Sequence, residues 1–220
     1  TSDVVSGVNT DSLHIKLIEF EEDRKYLRSQ FNSIGARIEH KRSVLIPKYK
    51  PLVEAYLKGG ESFENPIFSN LIVWLFDVKE LDTAIDWLSK AIDMGIPTPE
   101  GFKRGNWQTI CADETLAWAT EQSKHGHSVE PYFSQVKEKI FNGWDIHEAI
   151  KAQFLKFEAL ELLMNEDREP QPTAIGNVDV LKKSIELMKQ AENIHAKTGV
   201  GTMRKKAEQR IRAIETQKNL

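Results

Sequence analysis

Apolar residues recur alternately four and three positions apart through the first quarter of the chain. They stand at Leu13, Leu17, Phe20, Leu27, Phe31, Ile34, Ile38 and Leu45, with Arg24 and Lys41 at the remaining seam positions. A seam of that period runs along one side of an α-helix and suits packing on another helix, from the same chain folded back or from a second subunit. The pattern predicts one long helix, opening at Ser12 or with Asp11 as its cap and ending before Pro47. Charged residues in such a seam cost stability and are kept for register or for a partner. Arg24 and Lys41 therefore argue against a simple dimeric zipper. On this reading Leu13, Leu17, Phe20, Leu27, Phe31, Ile34 and Ile38 form the oligomerisation stripe.

Downstream, the punctuation falls at helix ends. Pro51 sits where a first-turn proline is tolerated and opens a short helix closed by Gly59-Gly60. Asn65-Pro66 is a cap followed by a first-turn proline, and the almost wholly apolar stretch Leu71–Phe76 places the next helix centrally in the core. Asp82 caps a fourth helix that ends at Gly95. A loop rich in Pro and Gly runs to Asn106, and Trp107 after it either joins Lys103 and Arg104 in gripping a nucleic-acid backbone or a protein partner, or is a staple at the entrance to the next helix. Helices are expected over Trp107–Lys124 and Ser128–Ile140, then from a capping box at Asp145 and Glu148 to about Asn165. Glu166–Gly176 is the best linker candidate. Helices over Val178–Lys197 and Thr202–Gln217 close the chain. No segment alternates with period two, so the fold is all-α: a long N-terminal heptad-bearing helix, a helical-hairpin domain similar to tetratricopeptide arrays, and a C-terminal helix pair. The expected domains are residues 1–46, 47–165 and 177–220. Residues 84–91 and 184–191 echo each other in the pattern that packs one helix on the next, which supports helical hairpins and little more.

Composition narrows the class without naming a chemistry. A chain of 220 residues with 40% hydrophobic and 29% charged residues has the length for a proper core. No apolar run approaches the ~20 residues of a membrane span, so no membrane partner is expected. The first ten residues lack the pattern of a signal peptide. The lone Cys111 excludes a disulfide framework and suits a reducing, cytosolic compartment.

The net charge of −3 hides an uneven distribution. Arg37, Lys41, Arg42, Lys48 and Lys50 face one acid, Glu39, and a second basic run from Lys197 to Lys218 carries seven cations against Glu208 and Glu215. Two basic ends around an acidic middle suit a polyanion bound in several copies, although Lys and Arg also simply solvate helix faces. Catalytic signatures are sparse. No phosphate-binding G-x-x-x-x-G-K-[ST] loop occurs, and neither His125-Gly126-His127 nor His147-Glu148 has the setting of a ligand pair. Carboxylates such as Asp77, Glu80, Asp82, Asp86, Asp113 and Glu114 are numerous enough for a Mg²⁺-dependent nuclease. Those sites commonly sit on strands, however, so caps and solvated faces are the simpler role. No catalytic residue, metal ligand or cofactor is assigned.

Three segments carry a resemblance to a known family. They are His40–Leu57 with Pro47, Tyr49 and Pro51; Asn70–Arg104 with Trp74, Asp77, Asp82, Gly95, Pro97 and Phe102-Lys103-Arg104; and Asp179–Lys206 with Gly199 before its basic stretch. In this order and spacing they resemble the small terminase subunit of P2-like tailed bacteriophages, the M protein family, over roughly Leu13–Ile214. Family members carry basic extensions beyond the shared region, whereas this chain runs from Thr1 to Leu220, as expected of a trimmed piece.

The resemblance implies a protein of the host cytoplasm that binds double-stranded viral DNA at the packaging site. It would do so as a ring-like homo-oligomer and deliver the DNA to the large terminase subunit, which holds the ATPase. The residues expected to contact phosphates are Arg37, Lys41, Arg42, Lys48 and Lys50, with Lys103 and Arg104 as a second set. Two other readings stay open: a metal-dependent endonuclease subunit, since the family is sometimes assigned the cohesive-end cut, and a helical protein adaptor that never touches nucleic acid.

Overall fold

The computed structural model describes residues 10–60, 63–102 and 105–218, and the fold is all-α. Two compact units divide the chain, residues 1–107 and 108–220. This differs from the three-part division expected from sequence, because the N-terminal helix packs into the same unit as the helices that follow it.

In the first unit the run expected as one helix is broken. Helix α1 spans Thr10–Gln30, and helix α2 spans Ile34–His40. Ser33 separates them as an N-cap with extended backbone, its hydroxyl accepting from Ala36 N–H. Asn32-Ser33 is polar and prone to local side-chain hydrogen bonding, so a cap competes with helix continuation there. A heptad count sees only the apolar positions on either side. The far end also departs from expectation, because the chain passes through Pro47 in helical geometry. A π-helical turn, Lys41–Leu45, leads directly into helix α3, Ile46–Gly59, which also contains Pro51. Pro47 lacks an N–H and its ring crowds the carbonyl four residues back, and a widened turn accommodates both problems. Gly60, at φ 69°, ends the helix in the left-handed region that glycine tolerates.

Helix α4, Pro66–Asp77, begins at the expected cap, with Asn65 Oδ1 accepting from the amides of Ile67 and Phe68. Ile67, Phe68, Leu71, Ile72, Leu75 and Phe76 are all buried, so α4 is the centre of this core. Helix α5, Leu81–Asp93, packs back on α4, and its cap position is Glu80 rather than Asp82. Helix α6, Trp107–Lys124, follows. The indole of Trp107 donates to the Ile96 carbonyl at 2.7 Å and is buried, so the staple role holds.

The second unit contains α6 beyond Trp107 and helices α7, Tyr132–Asn142; α8, Glu148–Glu161; α9, Val178–Ile194; and α10, Gly201–Lys218. Helix α8 is capped by His147, whose Nδ1 accepts from Ala149 N–H, in place of the expected Asp145–Glu148 box. Helices α8, α9 and α10 share one core in which Leu155, Leu163, Leu181, Met188, Ala191, Val200 and Ala207 are buried. The expected linker is packed structure. Arg168 donates to the Ser123 carbonyl at 2.7 Å and to Glu161 at 2.9 Å, and Ser123 in turn donates to Glu161.

Candidate nucleic-acid interface

Every described cation expected to contact phosphate in the first basic segment reaches an acceptor within its own unit. Arg37 closes the end of α1, with Nε donating to the Phe31 carbonyl at 2.7 Å and a terminal nitrogen donating to the Arg28 carbonyl at 3.4 Å. Those carbonyls are among the unpaired acceptors that a helix end exposes. Lys41 leaves the π-helical turn toward α4 and pairs with Asp77 at 2.6 Å, its ammonium 5.8 Å from the centre of the Trp74 ring. Arg42 pairs with Glu39 at 2.6 Å and donates to the Val78 carbonyl at 3.4 Å. Lys50 lies 3.6 Å from Glu80.

Lys48 is the most enclosed in partners. It bridges Glu19 at 2.8 Å and Asp23 at 2.6 Å on α1, and Asp23 also accepts from the Tyr49 hydroxyl at 2.7 Å. Partial desolvation opposes the charge on Lys48, but the hydrogen bonds to Asp23 and Glu19 outweigh it and hold the ammonium above the ordinary lysine range. Hydrogen bonds from Lys16 and Lys48 hold the Glu19 carboxyl down to about 2. Burial, then the hydrogen bond to Asp23, raises the Tyr49 phenol. This cluster clamps α1 to α3. Lys103 and Arg104, the second expected set, lie outside the described residues.

The oligomerisation stripe is likewise divided by the structure. Phe20 and Leu27 are buried, and Phe20 packs on Tyr49 at 5.0 Å and Trp74 at 5.3 Å between ring centres. Leu13, Leu17, Phe31 and Ile38 are half-buried, while Ile34 is 76% exposed. Another side of α1 carries a second apolar set that the heptad count misses: Ile15 is 62% exposed, Ile18 49% and Tyr26 52%. At 100° per residue, Ile18 falls across the helix from Phe20 and Leu27, and Ile15 and Tyr26 lie on one flank, roughly 100–140° from them. Helix α1 therefore presents one apolar side to its own unit and another to solvent.

The groups with catalytic potential are committed to structure or solvent. Asp77 and Glu80 pair with Lys41 and Lys50, and Asp86 pairs with Lys90 one turn away. His125 and His127 lie on the surface as a stacked pair 5.9 Å apart. Cys111 is buried in α6, and burial pushes its thiol up to about 12, which removes it as a nucleophile near neutral pH. Among the described residues, no group of three or more His, Cys, Asp or Glu is placed to hold a metal ion, and no helix is long and apolar enough to cross a membrane.

Comparison with known proteins supplies what the geometry leaves open. The family model described as phage small terminase subunit matches residues 17–149, more than half of the chain. The chain belongs to the phage small terminase subunit family. A relative from Haemophilus phage HP1 (strain HP1c1), named a probable terminase endonuclease subunit, is 31% identical over 201 residues. The match covers 90% of this chain and 69% of the relative. No solved structure matches.

For a terminase subunit, the cations that matter most for a polyanion are those left without a counter-charge. Exposed Lys25, Arg28 and Lys58 of the first unit are such cations among the described residues, and a larger group lies in the last helix pair, outside the expected site set. On α9, Lys182, Lys183 and Lys189 are exposed and make no ion pair among the described residues. The same holds for Lys197, and for Lys205, Lys206 and Arg212 on α10. Among the described residues of this run Arg204 alone is neutralised, by Glu192 and Glu208, both at 2.9 Å. The basic composition of residues 197–218 was visible in the sequence. No local signal separates it from the first segment: Lys41 and Lys48, like Lys206, have no acid three or four positions away, where a helix brings side chains together.

Proposed function

We propose that this small terminase subunit recognises double-stranded viral DNA and delivers it to the large subunit for packaging, acting as a homo-oligomeric assembly in the host cytoplasm. The observation that carries the reading is the set of unpaired cations on α9 and α10 in a chain of this family. Phosphate contacts supply affinity and position, while DNA shape contributes sequence choice. The solvent-facing side of α1, with Ile15, Ile18 and Tyr26, supports assembly with another copy or with the large subunit. Of the first basic segment, Arg42 is best placed to add a phosphate contact, since its side chain is 48% exposed.

A salt series of binding to double-stranded DNA tests the reading. Affinity that falls steeply with ionic strength is expected, and the absence of binding at low salt overturns it. A second reading, that the subunit itself cuts DNA, rests on the printed name of the relative. It requires nicking of viral DNA with Mg²⁺ or Mn²⁺ in the absence of the large subunit. Intact DNA alongside measurable binding removes that reading.

A further inference from the structure

One cleft gathers part of the unpaired charge. It lies between α10 and the segment Pro170–Thr173, with a volume of about 560 Å³. Its walls include Lys206 and Arg210 from α10 and Gln171 and Thr173 from the facing segment, and no carboxylate lines it. Lys206 and Arg210 are one helical turn apart, about 6 Å along the axis. Nothing within the described residues neutralises Lys206. Arg210 is fixed by Nε, which donates to the Ile175 carbonyl at 3.0 Å, so its two terminal nitrogens remain as donors. A guanidinium held at one edge keeps the planar fork that suits a phosphate oxygen pair. The opposite wall contains Pro170 and Pro172, whose fixed φ keeps it rigid. Exposed Lys205 and Arg212 continue the positive charge along α10 beyond the cleft.

We infer that this cleft seats a backbone phosphate of double-stranded DNA, with Lys206 and Arg210 as its two charged donors. The inference rests on the DNA-binding reading above and adds the place of contact: α10, outside the residues matched by the family model. Phosphate is favoured over an acidic protein segment because the cleft offers two cations one turn apart and amide or hydroxyl donors around them.

The test uses the full chain and a fluorescent double-stranded oligonucleotide, with anisotropy measured between about 50 and 200 mM salt. Lys206→Gln removes an exposed, unpaired charge and leaves the helices intact by circular dichroism. It is expected to weaken binding by about three- to tenfold at the low-salt end and to lower the salt slope by about one. Lys206→Arg is expected to bind as the unaltered chain does. Arg210→Lys, which keeps the charge and loses the fork, is expected to weaken binding with little change of slope. Binding by the unaltered chain with the same affinity and slope in Lys206→Gln overturns the cleft and leaves DNA recognition standing. Equal losses in Lys206→Gln and Lys206→Arg also overturn it. No binding by the unaltered chain at any salt overturns the underlying reading itself.

Discussion

Between Arg37 and Lys50 each cation ends on a carboxylate or carbonyl of its own unit, whereas Lys197, Lys205, Lys206 and Arg212 end in solvent. The two stretches look alike as sequence, since both are basic runs flanking helical turns. What separates them is the surroundings. The first segment passes α1 and α4, which bring Glu19, Asp23 and Asp77 to it from 25 or more positions away. In the second, Glu192 and Glu208 are both consumed by Arg204, and exposed Glu215 pairs with no cation among the described residues. Basic composition is thus a measure of supply, and the availability of charge for a polyanion is decided by tertiary pairing.

The strongest way to probe the structural side of this contrast is to remove the core beneath the first segment. Phe20→Ala should destabilise the first unit by about 3–5 kcal/mol in denaturant unfolding, because a fully buried ring between Tyr49 and Trp74 is lost. A loss below about 1 kcal/mol would mean that α1 is not anchored there. Next comes the pair formed by Lys41, 15% exposed, and Asp77, 32% exposed. A double-mutant cycle with Lys41→Met and Asp77→Asn should give a coupling of about 1 kcal/mol after allowing for solvent screening. No coupling would make the Lys41 ammonium free for another partner.

Acid provides a third probe. The Glu19 carboxyl is held down to about 2 against an ordinary 4.5, so its contribution to stability is full above about pH 4.5 and is lost as pH falls toward 2. The thermal midpoint should therefore drop less steeply over that window in Glu19→Gln than in the unaltered chain. Parallel curves would contradict the clamp. The smallest effects belong to exposed positions: Arg42→Gln and Arg212→Gln should each change stability by less than about 0.5 kcal/mol. A larger loss in Arg212→Gln would reveal a structural role and blur the contrast.

Local signals in the sequence translated well into structure. Asn65-Pro66 capped α4, Gly60 ended α3, Trp107 stapled the entry to α6, and the apolar run Leu71–Phe76 became the heart of a core. Competition between neighbouring signals was harder to read. The heptad period carried no warning that Ser33 would cap a new helix, nor that Pro47 would be absorbed by a π-helical turn. The residues 166–176, rich in charge and proline, looked like a linker until Arg168 met Ser123 and Glu161. The candidate site depended on the same long-range information. The partners of Lys41 and Lys48 lie far away in sequence, so their cations could not be distinguished from free ones. The family resemblance, by contrast, rested on ordered motifs along most of the chain and needed no tertiary contacts.

The most direct test of the central claim compares Lys48→Gln with the unaltered chain, measuring both thermal midpoint and affinity for double-stranded DNA at one fixed salt concentration. A lowered midpoint with DNA affinity unchanged in the folded protein is the predicted result, since Lys48 spends its charge on Glu19 and Asp23. An unchanged midpoint with a tenfold loss of DNA affinity would contradict it, and would return the phosphate contact to the first basic segment.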